Sequence, residues 1–166
     1  THLWEAELSL KNLKQLANLV SGKAYEWEIE IPWNTKHDFI RNEIKQIFID
    51  HDLDAGSIIQ ESYHSQLRNA FAHGHYTFHE ASFIKLKNYR GEFWELKALS
   101  FEEWEERFLK SALLHYEILA QKHKRLVEFG QQNHAVTVWL PNDKETGYRK
   151  SELIWHENTK DYAWKH

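Results

Sequence analysis

From about His2 to Val20 the apolar residues Leu3, Trp4, Leu8, Leu13, Leu16, Ala17 and Val20 recur at mostly three- to five-residue intervals, which predicts an amphipathic helix. Thr1 is placed to cap its start, and Gly22 to end it in a left-handed conformation. The period then drops to two. Tyr25-Glu26-Trp27-Glu28-Ile29-Glu30-Ile31 alternates apolar and acidic positions up to Pro32, predicting a strand or extended arm with one buried face and one solvated face. A second helix is predicted after Asn34 or Thr35, presenting Phe39, Ile40, Ile44, Ile47 and Phe48. The acidic run from Asp50 to Gly56 reads as a polar connector, because it lacks the ligand spacing and closing Glu of a calcium loop. A third helix is predicted from about Ser57 to His73.

Beyond Gly74 the pattern is mixed. Tyr76/Phe78 and Phe83/Ile84/Leu86 read as extended, with Gly91 as a turn. Ser100-Phe101-Glu102-Glu103 is a capping box, and Leu99 is placed to staple onto Trp104. The stripe Trp104, Phe108, Ala112, Leu119 and Leu126 then predicts a helix ended by Gly130, about 45 Å long at 1.5 Å per residue. After Gly130, residues His134–Leu140 and Leu153–Trp155 flank a turn-rich stretch from Pro141 to Gly147, predicting a β-hairpin with Tyr162 and Trp164 packed onto it. The fold class expected is mainly α, an up-and-down helical bundle with a small β arm and a C-terminal β-hairpin. Residues 1–130 would form the helical domain, and 131–166 an appendix packed on it.

Composition narrows the chemistry. The 166 residues include no cysteine, which excludes disulfides, thiolate nucleophiles and Cys-type metal sites together. No uncharged run approaches the length of a membrane span, and no basic–apolar leader opens the chain, so the expectation is a cytoplasmic protein. Methionine is absent, which fits either a trimmed initiator before Thr1 or a fragment of a longer chain. A net charge of -4 argues against a protein that coats nucleic acid nonspecifically, while leaving room for a local basic pocket. The 12 histidines supply many potential proton-transfer groups or metal ligands.

The stretch with most chemical content is Gln66-Leu67-Arg68-Asn69-Ala70-Phe71-Ala72-His73-Gly74-His75-Tyr76. Asn69 and His73 stand one helical turn apart on a shared face, whereas Arg68 and His73 lie about 140° apart on a regular helix. A local distortion at His73-Gly74 would bring the imidazole toward the guanidinium. The helix dipole favours protonated His73 at this end. A permanently charged guanidinium beside an imidazole suits phosphodiester chemistry: the first holds the phosphate, the second moves a proton to or from a ribose oxygen. RNA brings its own nucleophile, so such a site needs no metal or cofactor.

On Arg68-Asn69-Ala70-Phe71-Ala72-His73, an Arg-x4-His pattern with a glycine exit at Gly74-His75-Tyr76, the sequence resembles the HEPN superfamily over roughly residues 36–130. The resemblance implies a helical bundle, often a homodimer with two motif helices face to face forming a composite cleft. It implies metal-independent endoribonuclease activity of the toxin or phage-defence type, leaving a 2′,3′-cyclic phosphate and a 5′-hydroxyl. Arg68 would stabilise the phosphate, His73 would serve as general acid or base, and Asn69 would position His73 or the phosphate. His75 and Tyr76 would contact the RNA substrate. The resemblance equally admits a catalytically silent module that dimerises or binds an antitoxin, nucleotide or RNA, so fold alone does not decide.

Blander readings stand beside these. Arg68 and His73 fit a helix C-terminus in which Arg68 pairs with Glu61. His73, His75 and His79 alternate and invite a metal reading, but no nearby Asp completes the set and Glu80 points away on a strand. His115 and His123 suit surface or core-edge positions. Trp94, Trp104, Trp139, Trp155 and Trp164 serve core packing better than base stacking, and the clusters Lys85/Lys87/Arg90 and Lys122/Lys124/Arg125 read as solvated faces or an RNA-steering rim.

Overall fold

The computed structural model describes residues 4, 6–26, 28–79, 82–88, 96–141 and 147–165. The cap expected at Thr1, Trp27, Glu80, Arg90, Gly91, Trp94 and the turn at 142–146 lie outside the described residues. Among the described residues the chain is α-rich, with two small three-stranded antiparallel sheets. It divides into two compact units, residues 1–116 and 117–166, with the boundary inside the longest helix.

In the first unit, helix α1 spans Glu7–Val20. It buries Leu10, Leu13 and Ala17, and leaves Leu8 and Leu19 exposed. The apolar residues fit two overlapping stripes, and packing selects the one containing Leu10. Gly22 closes the helix at φ 69°, as predicted. The following segment through Ile31 is an extended arm rather than a strand, for none of its described residues joins a sheet; Ile29 alone is buried among them. The second predicted helix is present but not regular. It begins as α2 (Lys36–Asp38), widens into a π-helical segment over Phe39–Lys45 and returns to α-helix in α3 (Gln46–Asp50). Phe39, Ile40, Ile44 and Phe48 are its buried residues.

Two expectations fail at the next helices. Asp54-Ala55-Gly56 is not connector but the first turn of α4 (Asp54–Ser62). The reason is close packing: a Cβ on Gly56 would stand 2.7 Å from Ile49 Cγ1 and 2.8 Å from the Ile49 backbone nitrogen. The predicted helix Ser57–His73 is two helices, α4 and α5 (Ser65–Ala72), separated by Tyr63 and His64 with ψ of 125° and 119°. The Ser62 hydroxyl donates to the Ile58 carbonyl at 2.6 Å, taking over one acceptor at the end of α4. The Tyr63 ring is drawn aside to pack 5.3 Å from Trp4 and 5.9 Å from His37.

Strands β1 (Tyr76–His79), β2 (Phe83–Leu86) and β3 (Ala98–Ser100) form the first sheet, in the order β1-β2-β3. The first two match the extended pattern; the third is too short to show a period. Leu67 and Ala70 of α5 join Ile84, Leu86 and Leu99 in one core cluster, with Phe71, Tyr76 and Trp104 packed against it. The capping box forms as read: Ser100 Oγ accepts from the Glu103 amide at 3.0 Å, and the Glu103 carboxylate accepts from the Ser100 amide at 2.7 Å. It opens helix α6, Phe101–Gln132.

The second unit holds the rest of α6 and strands β4 (Ala135–Pro141), β5 (Tyr148–His156) and β6 (Asp161–Trp164). The hairpin is there, with Trp139 opposite Lys150, but Tyr162 and Trp164 form a third strand beside β5 rather than loose packing. Gly130 does not end the helix, which runs on to Gln132. Its role is clearance: a Cβ there would collide with the Trp155 ring. The Tyr162 hydroxyl donates to the Asn133 carbonyl, tying β6 to the helix end.

Although Ile49 Cγ1 could shift, the Ile49 nitrogen at 2.8 Å and the Phe48 carbonyl carbon at 3.2 Å are backbone atoms that cannot swing away. Gly56→Ala is expected to destabilise the first unit by about 1–3 kcal/mol, as overpacking does elsewhere. Urea unfolding followed by circular dichroism checks this, and an unchanged midpoint would contradict the packing described.

Candidate active site at the end of α5

Helix α5 carries Arg68 and Asn69, and His73 is the residue that caps its C-terminus. It stays regular to its end: the His73 amide still donates to the Asn69 carbonyl at 3.1 Å, and only then does the chain turn, with His73 at ψ 8° and Gly74 at φ 66°. The His75 amide closes the turn on the Ala70 carbonyl at 2.8 Å. The glycine exit is therefore as the sequence indicates. The distortion that would carry His73 toward Arg68 does not occur within α5, and the two side chains leave the helix about 140° apart.

Two pairs form instead. Arg68 Nη1 donates to Asn69 Oδ1 at 2.6 Å, so Asn69 orients the guanidinium rather than the imidazole. His73 and His75, both exposed, have ring centroids 6.0 Å apart. Tyr76 is half-buried, stacked 4.5 Å from Phe71 and edge-on to Phe78, so its ring contributes to the aromatic core edge. The pairing of Arg68 with Glu61 fails because the helix break puts them on different helices; Glu61 takes Lys110 at 2.6 Å. His79 stacks on Phe83 at 4.9 Å, and among the described residues no three His, Asp or Glu side chains gather as metal ligands.

Sequence reasoning missed what Arg68 turns toward. It lines a small cavity at the break between α4 and α5, together with His64 and with Arg107 of α6. Arg107 donates to the Glu61 carbonyl at 2.6 Å, capping the end of α4. His64 is held below the ordinary histidine range by burial first, then by the Arg107 charge and by His37. His37 is lowered in the same way, by burial and then by the Arg41 charge. His115, expected at the surface or core edge, is buried at 6% exposure against the Trp4 ring; burial lowers its pKa, while the Ser111 carbonyl, 2.7 Å from Nδ1, works the other way. A signal for these residues was present in the stripe of α6, where Arg107, Ser111 and His115 repeat every four residues among aromatics.

A larger open cavity of about 680 Å³ lies beside α1 and the arm. Its lining includes Glu26, Glu28, Glu30 and Glu43 against Lys14 and Lys23, a balance that repels a polyanion. Among the described residues no helix is long and apolar enough to cross a membrane. In comparisons with protein-family models, curated proteins and solved structures, nothing matches this chain.

Three histidines with lowered pKa values set a pH dependence. The unfolded chain takes up these protons near pH 6.5, while the folded chain resists until lower pH. Below about 6.5 the unfolded state thus binds more protons, and stability is lost as pH falls through the folded values. Denaturant midpoints are expected to drop from pH 7 to pH 5, and His115→Gln should flatten that slope; an equally steep slope in the variant would count against it.

Proposed function

We propose that this chain is a metal-independent endoribonuclease of the HEPN type, working as a homodimer through α5. The observation that carries the reading is the placement of Arg68 on one short helix and of His73 at its exposed C-terminal cap. His73 is solvent-accessible there, and Asn69 holds the Arg68 guanidinium. Since one copy directs Arg68 and His73 to different sides, the composite site needs two α5 helices face to face, so that guanidinium and imidazole from both copies border one cleft. In that cleft an Arg68 guanidinium neutralises charge on the scissile phosphate, while a His73 imidazole moves the proton of the attacking 2′-hydroxyl or of the departing 5′-oxygen. The 2′-oxygen bonds to phosphorus, the bond to the 5′-oxygen breaks, and a 2′,3′-cyclic phosphate and a 5′-hydroxyl result. A defence or toxin role follows from the family resemblance.

A second reading has its own observation. Arg68 lines the cavity with His64 and Arg107, as suits a silent module that binds an RNA end, a nucleotide or a partner such as an antitoxin without cleaving.

RNA incubated with excess EDTA separates the two. The nuclease is expected to cut, to lose at least a hundredfold in rate in both Arg68→Ala and His73→Ala, and to leave cyclic phosphate ends. Uncut RNA across several substrates would favour the module, and undiminished cleavage by His73→Ala would refute this mechanism.

A further inference from the structure

The β4–β5–β6 sheet has two faces of different character. Leu153 and Trp155 share the face turned to α6, where Trp155 is buried and its ring occupies the space that a Cβ on Gly130 would need. On the other face the register sets Trp139 opposite Lys150 and Thr137 opposite Glu152, with Tyr148 two residues before Lys150 on the same side. Trp139 is 65% exposed and Tyr148 72%. Across the β4–β5 pair these two are diagonal neighbours, their Cα atoms about 7–8 Å apart. Among the described residues neither ring packs on another ring. The sequence pools Trp139 with Trp155 as core material; the register separates them and leaves Trp139 outside the core.

Charge selects the occupant. Residues 117–166 hold eight Lys and Arg against seven Asp and Glu, so the acidic surplus of the chain lies in residues 1–116. Glu152, on the same face as Lys150, is engaged by Lys165 at 2.6 Å. Glu157 is paired with Lys160, and Glu128 with Arg125. Lys150 and its neighbour Arg149 are exposed and have no carboxylate partner among the described residues. Two bare aromatic rings beside an ammonium suit a ligand that offers flat π surfaces and negative charge together. Nucleic acid does so, with a base and a phosphate in every nucleotide. A neutral sugar would use the rings and leave the ammonium unanswered, and a protein partner calls for a wider apolar patch than two side chains. The rings reach only bases that are not stacked in a duplex, which selects a single strand.

We propose that the exposed face of the β4–β5–β6 sheet binds single-stranded nucleic acid, with Trp139 and Tyr148 each stacking a base and Lys150 meeting a phosphate beside them. The site uses none of Arg68, Asn69 or His73, and binding on it breaks no bond, so it does not depend on RNA being cut. Every base has a π face, so the site tolerates many sequences. Its occupant is an RNA or a DNA strand, which share this chemistry. An acidic chain thus meets a polyanion through residues that carry none of its acidic surplus.

Fluorescence anisotropy of a labelled single-stranded RNA of about twelve nucleotides tests the proposal on the whole chain. Each ribose carries a 2′-O-methyl group, which removes the attacking hydroxyl and keeps cleavage out of the readout. Trp139→Ala and Tyr148→Ala are each expected to weaken binding about tenfold, and Trp139→Phe, which keeps a ring, should lose less. Lys150→Gln should lower the slope of log affinity against log salt by about 0.7. Trp33→Ala removes a ring that is 86% exposed outside the sheet and should leave binding unchanged. Circular dichroism of each variant separates lost binding from lost folding. A duplex of the same sequence should bind more weakly than the single strand. Tighter binding of the methylated RNA than of the matching DNA assigns RNA as the occupant, and equal binding assigns either strand. Undiminished binding by both Ala variants, a preference for the duplex, or no binding of either strand would overturn the site. Binding of a neutral oligosaccharide in place of the oligonucleotide would overturn it as well. Unmodified RNA left uncut by a chain that binds the methylated strand would retain this face and remove the nuclease; cleavage without such binding would do the reverse.

Discussion

Trp4 fastens the first unit together. Its indole is buried at 3% exposure, and its N–H donates to the Ser111 hydroxyl at 3.0 Å across 107 positions of sequence. The same ring packs on Tyr63 at the helix break and on His115 one turn further along α6. A buried tryptophan whose only polar atom is satisfied combines a large apolar area with a directional bond. Three separate parts of the chain therefore meet on one side chain. The position of Tyr63 on Trp4 goes with the extended backbone at Tyr63-His64, and that backbone directs His64 and Arg68 to the same space as Arg107.

What could be read from sequence follows the range of the interaction involved. The capping box at Ser100–Glu103 and the glycine turns at Gly22 and Gly74 are governed by neighbours within a few residues, and they stand as read. The break in Ser57–His73 depends on Trp4 and His37, which lie far away in sequence, while the apolar period runs on through it. Gly130 was misread for a related reason. A glycine near a helix end signals a stop locally, but here the constraint is a tryptophan ring from β5. The motif on α5 was legible because it is contiguous. Its partners His64 and Arg107 were not, because they join it only through the tertiary fold.

The charge distribution reconciles an acidic chain with a cationic cavity. Carboxylates gather on the arm and around the large open cavity beside α1, and others are tied up in surface pairs such as Glu106–Lys110 and Glu7–Lys11. These exposed pairs add little stability. Among the described residues, none that lines the α4–α5 cavity is a carboxylate. A net charge of -4 is thus no guide to the potential at any one point.

The π-helical segment Phe39–Lys45 sits between two stretches of α-helix, with Phe39, Ile40 and Ile44 turned inward. Wider winding makes the phase of the helix lag, so α2 and α3 do not share one continuous set of faces. His37 lies just before the lag and stacks on Tyr63; Phe48 lies just after it and is buried. Removing a single residue from the segment would let ordinary winding resume, but would put the two ends out of step. Either the core would keep Phe48 or the helix break would keep His37. The extra residue acts as a phase adjuster, letting one helix serve the packed interior and the His37 contact with Tyr63 at its end.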